Sequence, residues 1–178
     1  MAAILNISPE EVENLCAEQS GFVLPVNFNS PIQTVIAGEE APVLSVMEKS
    51  SALGAKAVRL NVESAFHTEL MKPAAEAFAA EIADISYNKN PQIKFYSDLS
   101  GNSTAKFENL HDYLYRHMIS PVKFTSILTN MQNDGIECFV EMGPGKVTAG
   151  LVKRTLNTKN IFSVNDLKSL EKFKSSCL

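Results

Sequence analysis

The rhythm of hydrophobic and polar positions in this chain changes near residue 63. Before that point the apolar runs are short and their breaks are sharp. AAILNI at 2–7 reads as a strand. Ser8, Pro9 and Glu11 then supply an N-cap, a first helical residue and the reciprocal acid of a capping box. A helix should therefore carry EEVENLCAEQ and stop near Gly21. FVLPVNF and QTVIAG read as two strands joined through Asn29, Ser30 and Pro31. Residues 41–53 set Val43, Val46, Met47 and Leu53 on one side of a second helix, which Gly54 ends, and KAVRLNV is a further strand. The order β-α-β-β-α-β over residues 2–62 is that of a small split βαβ unit. Pro25 lacks an amide donor and is placed at a strand end or a sheet edge.

The second stretch has longer helical patterns. Residues 68–84 carry the most regular one, with Leu70, Ala74, Phe78, Ile82 and Ile85 on one side. Pro73 belongs to its first turn or marks a kink. IKFYSDL is a strand, ENLHDYLYRHM a helix with an aromatic side, and PVKFTSILTNM another helix. IECFVEM is a strand, GPGK a turn into the helix VTAGLVKRTLN, and IFSV a last strand. The lysine- and serine-rich end from Asp166 is expected to fray. Strand and helix alternate here as in a layered α/β sheet. The chain thus divides into a small α+β unit at 1–62, part of a larger α/β domain at 63–165, and a polar tail at 166–178.

Composition narrows the function. Of the 178 residues 45% are hydrophobic and 20% charged, and the net charge is −4. That balance, with no basic aromatic stripe, argues against nucleic acid as a partner. No apolar run reaches about 18 residues, which argues against a membrane span. MAAILNISPEE lacks the basic flank and apolar core of a secretory signal. Three cysteines, Cys16, Cys138 and Cys177, form no close pair. They fit a reducing compartment, and cytoplasm is the expected location.

His67, in VESAFHTELMKPAAEAFAAEI, stands where a strand pattern gives way to a helix. A neutral imidazole there can accept a proton from a serine or a thiol. A helix N-terminus would add a positive local potential favouring the neutral ring. The competing reading is a capping or surface histidine. His111 and His117 lie with Tyr113, Tyr115 and Phe107 in the aromatic helix, six residues apart and off a common face. Aromatic packing or exposure accounts for both, and no HExxH or other metal signature occurs. GPGK at 143–146 lacks the GxxxxGK[ST] pattern and reads first as a tight turn. Lys153 and Arg154 suit a helix C-terminus whatever the partner. Nucleophile candidates are poor. No GxSxG elbow occurs, Ser64 is set in extended chain, Cys16 is mid-helix and Cys138 lies in a strand expected to be buried. Residue types and spacing end with a candidate base and no hydroxyl for it to activate.

NFNSPIQTVIAG at 27–38, SAFHTELMKPAAEAF at 64–78, ISPVKF at 119–124 and VEMGPGKVTAGLVKR at 140–154 occur in this order. Together they resemble the C-terminal part of malonyl-CoA:acyl-carrier-protein transacylases and related polyketide acyltransferase domains. The resemblance implies an α/β fold. Residues 2–62 would be a ferredoxin-like subdomain inserted in an α/β-hydrolase-like large domain, whose C-terminal part is residues 63–164. It implies no cofactor and no metal. It makes malonyl-CoA and acyl carrier protein the partners, in fatty-acid or polyketide synthesis. The nucleophilic serine would lie in a GHSxG elbow, on an N-terminal segment or chain outside this sequence. So would the malonate-binding arginine and the oxyanion-loop glutamine.

By the same resemblance His67 is the catalytic base, held by a backbone carbonyl of the SPVxF segment at the position of Lys123. Phe66, in the AFH form of the motif, would favour malonyl over a branched extender, while Ser64 departs from the histidine often found there. Asn29 lies in a segment near the cleft mouth. The sites implied are therefore His67 for catalysis and Phe66, Asn29 and Lys123 for substrate, with GPG as scaffold. The alternative is a noncatalytic remnant that still binds carrier protein or CoA. In either case uncovered sheet edges and apolar surface would drive association with the missing segment or with a second copy.

Overall fold

The structure is a computed structural model that describes residues 1–89, 92–104, 106 and 108–177. Phe107 lies outside the described residues, as does the side chain of Cys177. The chain forms two compact units, Met1–Ile127 and Leu128–Leu178.

The first unit opens with β1 (Ala2–Leu5), α1 (Pro9–Ala17), β2 (Val23–Ser30), β3 (Gln33–Gly38), α2 (Glu40–Ala52) and β4 (Lys56–Arg59). The four strands make one sheet in the order β2-β3-β1-β4, with every neighbouring pair antiparallel. The side-chain period of two sorts β1 between two cores. Ala2 and Ile4 join Val12, Leu15 and Cys16 of α1 and Val43 and Val46 of α2. Ala3 faces the other way, with Val26, Val35 and Ala37, and Leu5, Leu60 and Ala65 pack against that cluster. Each large aliphatic side chain buried this way contributes about 1.5–3 kcal/mol.

Local chemistry agrees with these packing faces. The capping box is complete: Glu11 N–H donates to Ser8 Oγ at 3.2 Å, and Ser8 N–H donates to Glu11 Oε2 at 2.8 Å. Pro25 falls on β2, the edge strand, where its missing donor breaks no interior ladder. The ladder shifts register between Pro25 and Asn27 and again between Phe28 and Ser30. β2 continues through Ser30, so Asn29 is a bulge in a strand and not part of the connection expected from the sequence. Gly38 allows a close backbone approach, because a Cβ there would collide with the Phe22 carbonyl oxygen and with Val23 Cα.

After β4 come an irregular stretch, a 3-10 turn at Glu69–Met71, α3 (Lys72–Glu81), β5 (Phe95–Tyr96), β6 (Ser103–Thr104), α4 (Leu110–Ile119) and α5 (Phe124–Asn133). β5 and β6 pair as a short antiparallel hairpin. The expected strand at 93–99 is thus reduced to two residues and gains an unforeseen partner. The outer edge of β2 is partly covered: Phe28 N–H donates to the Val122 carbonyl at 3.0 Å, and Val122 N–H to the Val26 carbonyl at 2.8 Å. These bonds fasten the segment between α4 and α5 to the small sheet.

The apolar side expected for residues 68–85 is mostly uncovered. Ala75 and Ile82 are buried, but Leu70, Phe78 and Ile85 are 53%, 38% and 58% exposed. α3 packs against α4.

In the second unit β7 (Phe139–Met142) pairs in parallel with β8 (Ile161–Val164), and α6 (Val147–Thr155) connects them. Phe139, Leu151, Val152, Leu156 and Val164 are buried. The expected fraying tail instead forms α7 (Leu167–Cys177), which packs on β8 with the Phe162 and Phe173 rings 5.3 Å apart. Cys138 is exposed and not buried, because it falls just before β7.

Candidate active site

His67 occupies a tight turn between the small sheet and α3. Its φ is +64°, the left-handed region that a histidine enters at a cost of roughly 1–2 kcal/mol. Neighbouring bonds hold it there. Thr68, only 1% exposed, donates from Oγ1 to the Ala65 carbonyl at 2.7 Å and accepts from Leu70 N–H at 3.3 Å. Ala65 is anchored in turn on the lower face of the sheet. The sequence AFHT therefore works as a unit: Ala65 packs, Thr68 staples, and His67 is turned outward between them.

The half-buried His67 faces the C-terminal end of α4. That helix leaves its last carbonyls without intrahelical partners. His67 takes two of them. Its backbone N–H donates to the Met118 carbonyl at 3.2 Å, and Nδ1 lies 3.0 Å from the His117 carbonyl oxygen. A carbonyl only accepts, so Nδ1 carries the proton and Nε2 holds the lone pair. Among the described residues Nε2 meets no hydrogen-bonding partner.

Two expectations are corrected here. The orienting carbonyl belongs to His117 and not to Lys123. The Lys123 carbonyl accepts from Ile127 N–H at 3.0 Å in the first turn of α5, and its N–H donates to the Asp98 carbonyl at 2.9 Å. The dipole nearest the ring is also the negative end of α4. A positive helix N-terminus was expected, but only a three-residue 3-10 turn follows His67.

Phe66 adjoins His67 and is 42% exposed. Asn29 is the half-buried bulge residue near the end of β2. The exposed Lys123 lines a separate concavity with Phe28, Ser100, Thr125 and Ser126. His111 packs edge-on against Tyr87 and donates from Nε2 to the Ile85 carbonyl at 2.9 Å. Burial pushes the Cys16 thiol up to about 12, which leaves no thiolate for nucleophilic attack. At GPGK the first free amides of α6 are already used: Thr148 and Ala149 N–H both donate to the Glu141 carboxylate at 3.0 Å. Those bonds, Ala149's first, hold the Glu141 carboxyl below its ordinary value. The turn is a scaffold capped by its own acid.

The aromatic packing expected of His117 is present, but sequence reasoning did not foresee its contacts with Asp98 and His67. His117 Nε2 is 3.1 Å from Asp98 Oδ2, its ring is nearly parallel to Tyr113 (6° between planes), and it meets His67 with centroids 5.3 Å apart. One signal was present. Pro121 shortly after HMIS marks a helix end, and a helix end has carbonyls to give.

Comparison with known proteins settles the family. The sequence pattern of the acyl transferase domain family matches residues 1–172. The chain belongs to that family. It is 38% identical over 172 residues to the malonyl CoA-acyl carrier protein transacylase of Haemophilus influenzae, covering 95% of this chain and 55% of the relative. To the Bacillus subtilis protein of the same name it is 34% identical over 175 residues, covering 96% and 55%. The crystal structure of the transacylase from Clostridium perfringens superposes with a TM-score of 0.90 at 36% identity, covering 98% of this chain and 56% of that one. A malonyl-transacylase bound to a type II PKS acyl-carrier protein superposes with a TM-score of 0.91 at 34% identity, covering 98% and 57%. The chain spans about half the length of these acyl transferases, and its α/β architecture is theirs. Among the described residues no helix is long and apolar enough to cross a membrane, and no group of His, Cys, Asp and Glu is placed to hold a metal ion.

Proposed function

We propose that this chain supplies the general base of malonyl transfer from malonyl-CoA to the pantetheine thiol of acyl carrier protein. The serine of the acyl-enzyme comes from a GHSxG-bearing segment outside these 178 residues. The observation that carries the reading is the Nδ1–H bond from His67 to the His117 carbonyl, which leaves Nε2 as the proton acceptor. Nε2 removes the serine proton as the oxygen attacks the thioester carbonyl. The C–S bond then breaks, and the imidazolium returns its proton to the CoA thiolate. In the second half Nε2 takes the proton of the carrier thiol, whose sulfur attacks the malonyl-serine ester, and returns it to the serine oxygen.

The fixed tautomer is what a carboxylate does in other triads. Phe66, half exposed beside the base, is the residue that crowds a branched acyl group. One methyl is worth about 1–3 kcal/mol in such a pocket, a preference and not an exclusion. Asn29 and Lys123 are read as further substrate-side residues. Residues 1–62 are taken as the ferredoxin-like subdomain, residues 63–165 as the C-terminal part of the hydrolase-like domain, and 166–178 as an appended tail. The exposed Leu70, Phe78 and Ile85 are the surface that the serine-bearing segment covers.

The test is reconstitution. This chain is coexpressed with a GHSxG-bearing segment, and malonyl transfer from malonyl-CoA to acyl carrier protein is followed by mass spectrometry. His67→Ala should lower kcat by at least about a hundredfold. Equal rates with and without the imidazole would overturn the assignment. Carrier-protein binding with no transfer by the unaltered assembly would favour the noncatalytic remnant.

A further inference from the structure

We propose that Asp98 and His117 act together as a positioning pair for the His67 imidazole, Asp98 by fixing the His117 ring and His117 by touching His67 with both its ring and its carbonyl. The proposal rests on His67 being the base and concerns what holds it.

Asp98 lies in the loop that connects β5 to β6 and is committed at three points. Its N–H donates to Tyr113 Oη at 3.3 Å, its carbonyl accepts from Lys123 N–H at 2.9 Å, and its carboxylate meets His117 Nε2 at 3.1 Å. Both side chains of that last pair are about one-third exposed, at 31% and 32%. The contact is therefore partly shielded, and it fixes a direction as well as a distance.

His117 and Tyr113 are one helical turn apart, and their nearly parallel rings extend a row that starts at Phe95. The successive centroid distances are 5.6 Å from Phe95 to Tyr113, 6.1 Å from Tyr113 to His117, and 5.3 Å from His117 to His67. The row ends on the base. His117 then acts on it twice. Its ring packs on the His67 ring at 64° between planes, which limits rotation of that ring, and its carbonyl takes the Nδ1 proton, which sets the tautomer. A carboxylate only accepts, so the neutral His117 ring must carry its proton on Nε2. The two touching histidines are thereby held in opposite tautomers. This follows from an acceptor on each side of the pair and is not expected of two independent rings.

The measurement is a long-range 1H–15N correlation spectrum of the imidazoles in this chain alone, at a pH where both rings are neutral. It needs no catalysis. The unaltered chain should show His67 protonated on Nδ1 and His117 protonated on Nε2. Asp98→Ala removes only the carboxylate and should shift His67 from a single tautomer to a mixture. Asp98→Asn keeps an oxygen acceptor and should restore the single form. Finding neutral His67 protonated on Nε2 in the unaltered chain overturns the proposal with no variant needed. So does an Asp98→Ala chain in which the His117 signals move while those of His67 stay fixed. In the reconstituted assembly Asp98→Ala should lower kcat about tenfold with KM for malonyl-CoA unchanged, the signature of a misaligned base. If that assembly transfers nothing even when unaltered, the catalytic reading fails while the tautomer result still decides the positioning pair.

Discussion

Two stretches of the first unit carry apolar residues at regular spacing, yet they end differently. In residues 1–59 the pattern closes on itself. Ile4, Val12, Ile36 and Val46 are fully buried, and the sheet covers one core with α1 and α2 and the other with Leu60 and Ala65. In the stretch that bears His67, Leu70, Phe78 and Ile85 lie open. The difference is not one of hydrophobicity but of whether a partner surface lies among the described residues. The small sheet finds its two helices within sixty residues, and Ala65 and the segment at Val122 complete its cover. The turn holding His67 is fixed by polar bonds, while Leu70, Phe78 and Ile85 beside it stay open among the described residues. The small sheet thus presents a rigid but one-sided site, the arrangement that the proposed base would need if its nucleophile comes from another segment.

Matched truncations of one residue type test this most severely. Ile36→Ala, at a position with no exposure, should cost about 2–5 kcal/mol in urea unfolding of the chain alone. Ile85→Ala, where the side chain is 58% exposed, should change stability by less than about 0.5 kcal/mol. Adding a GHSxG-bearing segment should then separate the two: the Ile85→Ala chain should bind that segment more weakly, and the Ile36→Ala chain should show no binding loss beyond its loss of folded protein. Equal costs for the two isoleucines in the chain alone would erase the contrast.

The contrast also explains what could be read from the sequence. The β-α-β-β-α-β order was legible because each element's cap, breaker and partner are local: Ser8 and Glu11 for α1, Gly54 after α2, Pro25 at the edge. His67 stood out at a change from strand to helix pattern, and only the resemblance of AFHT to a family motif gave it a role. The exposed side of α3 was not. Periodicity shows that a face is apolar, and it does not show whether the partner lies in the same chain. The hairpin of β5 and β6 was missed although Ser100, Gly101 and Asn102 are turn residues, because two-residue strands carry no period to detect. The carbonyl of His117 was missed for a different reason. A backbone acceptor has no side-chain signature of its own, and Pro121 marks only the helix end, not which carbonyl is used; the Lys123 carbonyl is spent in the first turn of α5.

Removing the staple under His67 should have a middle-sized effect. Thr68→Val keeps shape and burial but takes away the hydroxyl that serves both the Ala65 carbonyl and the Leu70 amide. Leaving those groups unpaired should cost about 1–3 kcal/mol. Hydrogen exchange at the Leu70 amide should accelerate, and Thr68→Ser should restore most of the protection. If Leu70 exchanges at the same rate in the Thr68→Val chain, the +64° turn at His67 is held by something other than this side chain.

The smallest expected effect separates the two stretches by pH. In α1 the Glu11 carboxyl is held below its ordinary value, first by the Ser8 backbone N–H and then by the Ser8 hydroxyl. The folded chain therefore binds this proton less readily than the unfolded one. The resulting stabilisation is complete above the ordinary carboxylate range and fades as pH falls through the lowered folded value. In α3 the N-cap is Met71, with no side-chain bond to the helix and no acid in its first turn. Glu11→Gln keeps a hydrogen-bonding side chain but cannot ionise. The urea midpoint of the unaltered chain should exceed that of Glu11→Gln by a small margin near neutral pH, and acidification should close the margin. A margin that widened toward acid would mean that the carboxylate is favoured in the unfolded chain, and would remove the claim that the first helix carries its own electrostatic cap while the helix behind the base does not.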